Sequence, residues 1–194
     1  IFADIKDSTS LNPENGKVEL RFDVSEGNLA YVEQVKIEGN TRTRDIVIRR
    51  QIRLYPGDQF DGAKLRRSKE RLKNLGYFED VSYDIEDTDN PDHKNLVVQV
   101  KEAKTGSLTF GGGYSTIDQI VGFAEIEQKN FDFANWPTFT GGGQDLSLRA
   151  ETGSFRNNTR LSFTEPWIFD YPVSGGFDAY RSERKRERDV GYAY

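Results

Sequence analysis

The chain has 194 residues, 35% of them hydrophobic and 30% charged, and a net charge of −5. Its 9 Tyr, 13 Phe and 2 Trp are more aromatic surface than a disordered chain carries, the acidic balance argues against a nucleic-acid partner, and no apolar run reaches the ~18–20 residues of a helical membrane span. With neither Cys nor Met, disulfides and thiolate chemistry are excluded, and an internal or processed stretch of a longer chain is expected.

Residues 1–27 echo a later segment: ADIKD (3–7) parallels YDIED (83–87), and Leu20, Phe22, Val24 and Glu26 parallel Leu96, Val98, Val100 and Glu102. Self-similarity at such a period predicts tandem modules, the first present only as its closing hairpin. Tyr31 to Ile37 reads as a strand ended by Gly39-Asn40. Thr43 is expected to cap a short helix that buries Ile46 and Val47, exposes Arg49, Arg50 and Arg53, and stops at Pro56-Gly57. Asp61 is expected to cap a second helix, with Leu65, Leu72 and Leu75 inward, Lys64, Arg66, Arg67 and Lys69 outward, and Gly76 at its C′ position. Val81, Tyr83 and Ile85, then Leu96, Val98 and Val100, alternate as two strands. The order β-α-α-β-β predicts a hairpin with both helices on one face.

Near Gly106 the sequence becomes Gly-rich, aromatic and alternating. Runs around Leu108–Tyr114, Ile120–Glu127, Leu146–Glu151, Arg160–Thr164 and Val173–Ala179 read as strands, and Val190, Tyr192 and Tyr194 begin a sixth. Each is about ten residues, the length of a tilted membrane-crossing strand. Glu125, Arg149, Glu151 and Arg160 fall on one face, suiting a wet interior, while Tyr114, Phe131, Trp136, Trp167 and Tyr171 fall at or beyond strand ends, where interfacial aromatics belong. A soluble β-sandwich gives the same alternation. If the runs form a barrel, they are only its beginning, because a single-chain barrel needs at least about eight strands.

No catalytic constellation emerges, so a non-enzymatic protein without cofactor or metal is expected. His93 is the only histidine and reads as a solvated loop residue. Asp87, Asp89 and Asp92 lack the central Gly of a calcium loop and are broken by Pro91. Glu125 and Glu127 read as lumenal polarity rather than an acid/base pair. Neither Gly111–Gly113 nor Gly141–Gly143 is followed by Lys-Ser/Thr, so neither is a phosphate loop. The basic run Arg181–Arg188 reads as a solvated loop, with anionic headgroups and, behind them, nucleic acid as the other readings.

Four stretches, VKIEGNTRT (35–43), IRRQI (48–52), YPGD (55–58) and RLKNLGYFEDV (71–81), resemble a POTRA domain, the periplasmic module of the BamA family. TGSLTFGGGYS (105–115) is similar to that family's first barrel strand, and QKNF (128–131) and FTEPW (163–167) to its periplasmic turns. The resemblance covers essentially the whole chain. It implies an α+β POTRA domain at 29–104, the closing hairpin of a preceding one at 1–28, and at 105–194 the first five to six strands of an antiparallel transmembrane β-barrel in the outer membrane.

The resemblance further implies assembly and insertion of other barrels, with unfolded outer-membrane proteins, accessory lipoproteins and outer-membrane lipid as partners and no nucleic acid. A lateral gate would lie along Ser107, Leu108, Thr109, Phe110, Gly111, Gly112, Gly113 and Tyr114, where an incoming strand pairs with the edge. The POTRA edge Val81, Ser82, Tyr83, Asp84 and Ile85 would bind clients likewise, and Arg49, Arg50 and Arg53 are candidates for docking an accessory lipoprotein. The alternatives are a two-partner-secretion or translocation pore, and a soluble adaptor carrying a β-sandwich.

Overall fold

The computed structural model describes residues 3–12, 17–26, 29–116 and 119–184. The N-terminal segment is a two-stranded antiparallel sheet of β1 (Ala3–Asn12) and β2 (Lys17–Glu26). Ile5 pairs with Val24 here, as Val81 pairs with Val100 later in the chain. The pairing therefore aligns Ile5 with Val81, four residues away from the Ile5–Ile85 match that the sequence alone suggests.

The next unit runs β3 (Tyr31–Glu38), α1 (Asp45–Arg49), α2 (Gly62–Asn74), β4 (Phe78–Asp87) and β5 (His93–Glu102). Its sheet has the order β3-β5-β4, with β5 parallel to β3 and antiparallel to β4. Helix α2 forms where expected. The Asp61 carboxylate accepts the Ala63 and Lys64 N–H groups at 2.7 and 3.2 Å, satisfying donors the first turn leaves open. Gly76 closes it at φ 70°, a left-handed conformation that favours glycine. Leu72 is fully buried, and Leu65 and Leu75 pack against a core that includes Ile48, Ile52, Leu54, Val81, Leu96 and Val98.

Helix α1 departs from its sequence expectation. It has five residues, Arg44 sits at its N-cap without a side-chain bond, and Ile48 rather than Ile46 is buried beside Val47. It ends well before Pro56, because residues 52–54 turn Ile52 and Leu54 into the core. Thr43 is not its cap, since its hydroxyl is engaged elsewhere. His93 is not a loop residue: it opens β5, half-buried, edge-on to Tyr31 with ring centroids 6.1 Å apart. The polar turn before it is held by its own chain, the Thr88 hydroxyl donating to the Asn90 and His93 carbonyls at 3.0 Å.

The last unit is one antiparallel sheet in sequence order: β6 (Gly106–Ser115), β7 (Gln119–Phe131), β8 (Gln144–Gly153), β9 (Arg156–Glu165) and β10 (Gly175–Arg184). Arg181–Arg184 continue β10 and are not a loop, and β10 begins at Gly175 rather than Val173. The sixth run at Val190–Tyr194 lies outside the described residues.

One face carries charge, with Arg149 reaching Glu125 at 3.1 Å and Glu151 at 3.6 Å. The opposite face carries the apolar positions, and they do not end on one row. The pairings Ala179–Leu161, Leu161–Leu148, Leu148–Ile126 and Ile126–Leu108 form a single row. On β10 and β9 the apolar run stops at that row, where Arg181 and Thr159 follow; on β6 and β7 it continues to the pair Tyr114–Ile120. This edge of the apolar face thus steps ~20 Å along the strands between β9 and β7, at ~3.3 Å per residue, so the face is tall on β6 and β7 and short on β9 and β10.

Candidate functional site

Two strand edges and the junction between their domains make up the candidate site. Strand β6 pairs with β7 over its whole length, from Gly106–Gln128 to Ser115–Gln119, and among the described residues no strand pairs with its other edge. Ser107 to Tyr114 are all exposed, with Phe110 at 79% and Tyr114 at 76%. The glycines differ in role. A Cβ on Gly111 would lie 2.8 Å from the Phe123 ring, which fills the missing side chain's place and holds Arg149 4.5 Å above it. Gly113 opens onto free space, and Gly112 is approached within 3.4 Å only by the Val121 carbonyl. Side-chain adhesion to β7 is therefore weak at Gly112 and Gly113, while the main-chain ladder is complete.

Strand β4 is the second edge. Val81 is buried, and Tyr83 and Ile85 pack against the core, so this edge is fixed by α2 and β5 behind it. Burial pushes the Tyr83 hydroxyl above its ordinary pKa. The Ile85 N–H donates to the Asp84 carboxylate at 2.8 Å, a local bond that occupies one main-chain donor of the strand. Such self-bonding blunts an edge against unwanted pairing.

The two domains meet in buried polar contacts. Only residues 103–105 separate β5 from β6, and this link is pinned by the Ala103 N–H to the Tyr77 carbonyl (2.9 Å) and the Lys129 N–H to the Thr105 carbonyl (2.9 Å). Glu102, the last residue of β5, accepts the Thr43 N–H at 2.6 Å, the Arg42 N–H at 3.0 Å and the Thr41 hydroxyl at 2.8 Å. Partial burial pushes its carboxyl up, but these donors outweigh that and hold it below the ordinary range.

The loop so tied presents the Thr43 hydroxyl to Asn130, whose amide donates to it at 2.9 Å while its oxygen accepts the Gly143 N–H at 2.9 Å. Arg44 pairs with the buried Asp132 at 2.5 Å, and its N–H donates to the Gly141 carbonyl at 3.0 Å. At Gly141, with φ 112°, a Cβ would stand 2.1 Å from the Arg42 carbonyl. The triplet Gly141–Gly143 is thus the place where the backbone of the last sheet closes on the loop at 41–44, a role the sequence did not disclose because its partners are about a hundred residues away.

The three candidate arginines part company. Arg49 and Arg53 are exposed, Arg49 within 3.6 Å of Asp45. Arg50 is half-buried in the junction, 5.2 Å from the Trp167 ring centroid, and burial lowers its pKa. Tyr77 joins it there, its hydroxyl donating to the Gly143 carbonyl at 3.3 Å and its pKa raised, mainly by burial and then by Asp145.

Comparison with known proteins places this architecture. The POTRA family, described as surface antigen variable number repeat, matches residues 30–103, and the Omp85 superfamily domain matches residues 138–194. An outer membrane protein assembly factor BamA from Nitratidesulfovibrio vulgaris is 38% identical over 93% of this chain, which spans 22% of that relative. The crystal structure of BamA from Haemophilus ducreyi lacking POTRA domains 1–3 matches 94% of the chain and 33% of its own, with a TM-score of 0.76 at 29% identity. CdiB from Escherichia coli matches 98% of the chain and 33% of its own with a TM-score of 0.56, but at 13% identity this shows the fold alone. A POTRA unit running directly into the first strands of an Omp85 barrel, with BamA-like sequence across both, makes this chain a member of the BamA family.

Proposed function

We propose that this chain supplies the gate edge of a non-enzymatic insertase that assembles β-barrel proteins in the outer membrane. The barrel strands lie in that membrane and the POTRA domain stands on its periplasmic side. In this reading 1–28 closes a preceding POTRA domain, 29–104 is the last one, and 105–194 begins the barrel.

The observation that carries the proposal is the make-up of β6: its main-chain ladder to β7 is complete over ten residues, while Gly112 and Gly113 offer that neighbour almost no side-chain grip. An extended client strand adds to such an edge through main-chain bonds, which tolerate any sequence. The likeness to named assembly factors supports the same reading. Val81–Ile85 offers clients a second edge through its main-chain groups other than the Ile85 N–H, which Asp84 occupies, and Arg49 and Arg53 remain exposed for an accessory lipoprotein, whereas Arg50 is taken up by the junction. CdiB from Escherichia coli shares the fold at 13% identity, and a two-partner-secretion or translocation pore is the second reading of the same architecture.

Proline at Phe110 or Gly112 in the full-length protein removes a main-chain donor from β6. Where that donor faces the open edge, outer-membrane protein levels should fall sharply in cells relying on the variant. Normal levels from both variants would contradict the gate role.

A further inference from the structure

Barrel strands are ordinarily joined by short periplasmic turns. The β7–β8 connection here is long, spanning residues 132–143, and aromatic. Its stem is the junction already described: Asn130 on Thr43, Asp132 on Arg44, Gly141 against Arg42. Its rim is the reverse in character. Trp136 meets Phe139 edge-on at 5.2 Å, Phe139 stacks on Phe131 at 6.0 Å, and Trp136 and Phe133 are 78% and 69% exposed. This ladder starts on the membrane-facing side of the sheet. Phe131 pairs with Gln144, the next position beyond the Gln128–Leu146 pair on the same face, and Leu146 leads into the apolar run Leu146–Leu148.

We propose that this turn is a membrane foot: its aromatic rim lies in the headgroup region of the periplasmic leaflet, a phospholipid surface, while its polar stem grips the POTRA domain. Three features single out lipid as the occupant. The ladder is continuous with the lipid-facing row. Its tip combines Trp and Phe, the side chains that settle at a membrane interface. And its base, the Phe131–Gln144 pair, lies two residues or ~7 Å along β8 beyond the Gln128–Leu146 row, about the depth of a headgroup layer. The foot ties the POTRA domain to the plane of the membrane as well as to the barrel.

The inference rests on the strands being in the membrane, and the test separates the two. The full-length protein is reconstituted in nanodiscs of phosphatidylcholine and phosphatidylglycerol, with a nitroxide at Trp136→Cys, Phe133→Cys, Leu148→Cys or Arg66→Cys. Collision with oxygen reports lipid, and collision with a water-soluble nickel chelate reports solvent. Leu148 should read as lipid and the exposed helix position Arg66 as water. Trp136 and Phe133 should show an oxygen-to-nickel ratio severalfold above that of Arg66. A lipid reading at Leu148 with both rim positions indistinguishable from Arg66 would overturn the foot and leave the barrel intact. A water reading at Leu148 would overturn both. Substitution at these exposed rim positions removes no core contact, so either label reports on a folded protein.

Discussion

Thr43 shows how much one residue's meaning depends on partners remote in sequence. A Thr before an apolar run reads as a helix cap, yet its N–H serves Glu102 and its hydroxyl serves Asn130, contacts 59 and 87 residues away. Nothing local announces that. Gly141 and Gly113 make the same point in pairs, both lying in Gly-rich triplets, one walled by backbone and the other open. Gly141→Ala is therefore expected to weaken the junction by roughly 2 kcal/mol or more, through its left-handed backbone and the clash with Arg42, whereas Gly113→Ala is tolerated. Hydrogen exchange should accelerate at Arg44 and Gly143 in the first variant only.

Glu102 adds a pH dependence. Its folded pKa is depressed, so the stability it lends is full above the ordinary carboxylate range, about 4.3, and is lost as pH falls toward the folded value. Exchange protection of the Arg42 and Thr43 amides should drop as pH is lowered through that window, after correction for intrinsic rates. In Glu102→Gln that acid step should disappear.

At the scale of elements, the periodic features were legible and the registers were not. Helix α2 follows its pattern of Asp61, Leu65, Leu72 and Gly76 because capping and burial there are local. Strand β5 keeps Leu96, Val98 and Val100 inward but buries Val97 as well, because as the central strand it is covered on both sides there. Helix α1 did not follow its pattern, since its five residues are placed by the loop before them and the core behind them. The apolar face across β6 to β10, tall on β6 and β7 and short on β9 and β10, needs the pairings of all five strands, so no single strand's sequence contains it. The hairpin β1–β2 likewise needed its pairing before Ile5 could be matched with Val81. Leu72, fully buried between α2 and the sheet, should cost ~2–5 kcal/mol when truncated to Ala. The check is denaturant unfolding followed by a probe in the POTRA unit, and a loss below 1 kcal/mol would mean that the core can collapse around the gap.

For the molecule as a whole, the order of its parts was readable from composition alone: a charged helical half, then a Gly-rich alternating half. What joins them was not, because the junction uses ordinary polar residues whose pairing crosses the boundary. That junction sets β6 three residues beyond the central strand of the POTRA sheet, so the two strand edges proposed to receive clients belong to one continuous frame.

The central claim is that an incoming strand adds to β6. The chain has no cysteine of its own, so single cysteines placed in turn from Ser107 to Tyr114 of the full-length protein, with a second in a stalled client strand, report pairing directly. The account predicts disulfide cross-links that shift one for one along both strands, as a β ladder requires. Cross-links at none of these positions, while the same variants still assemble clients at normal rates, would contradict it.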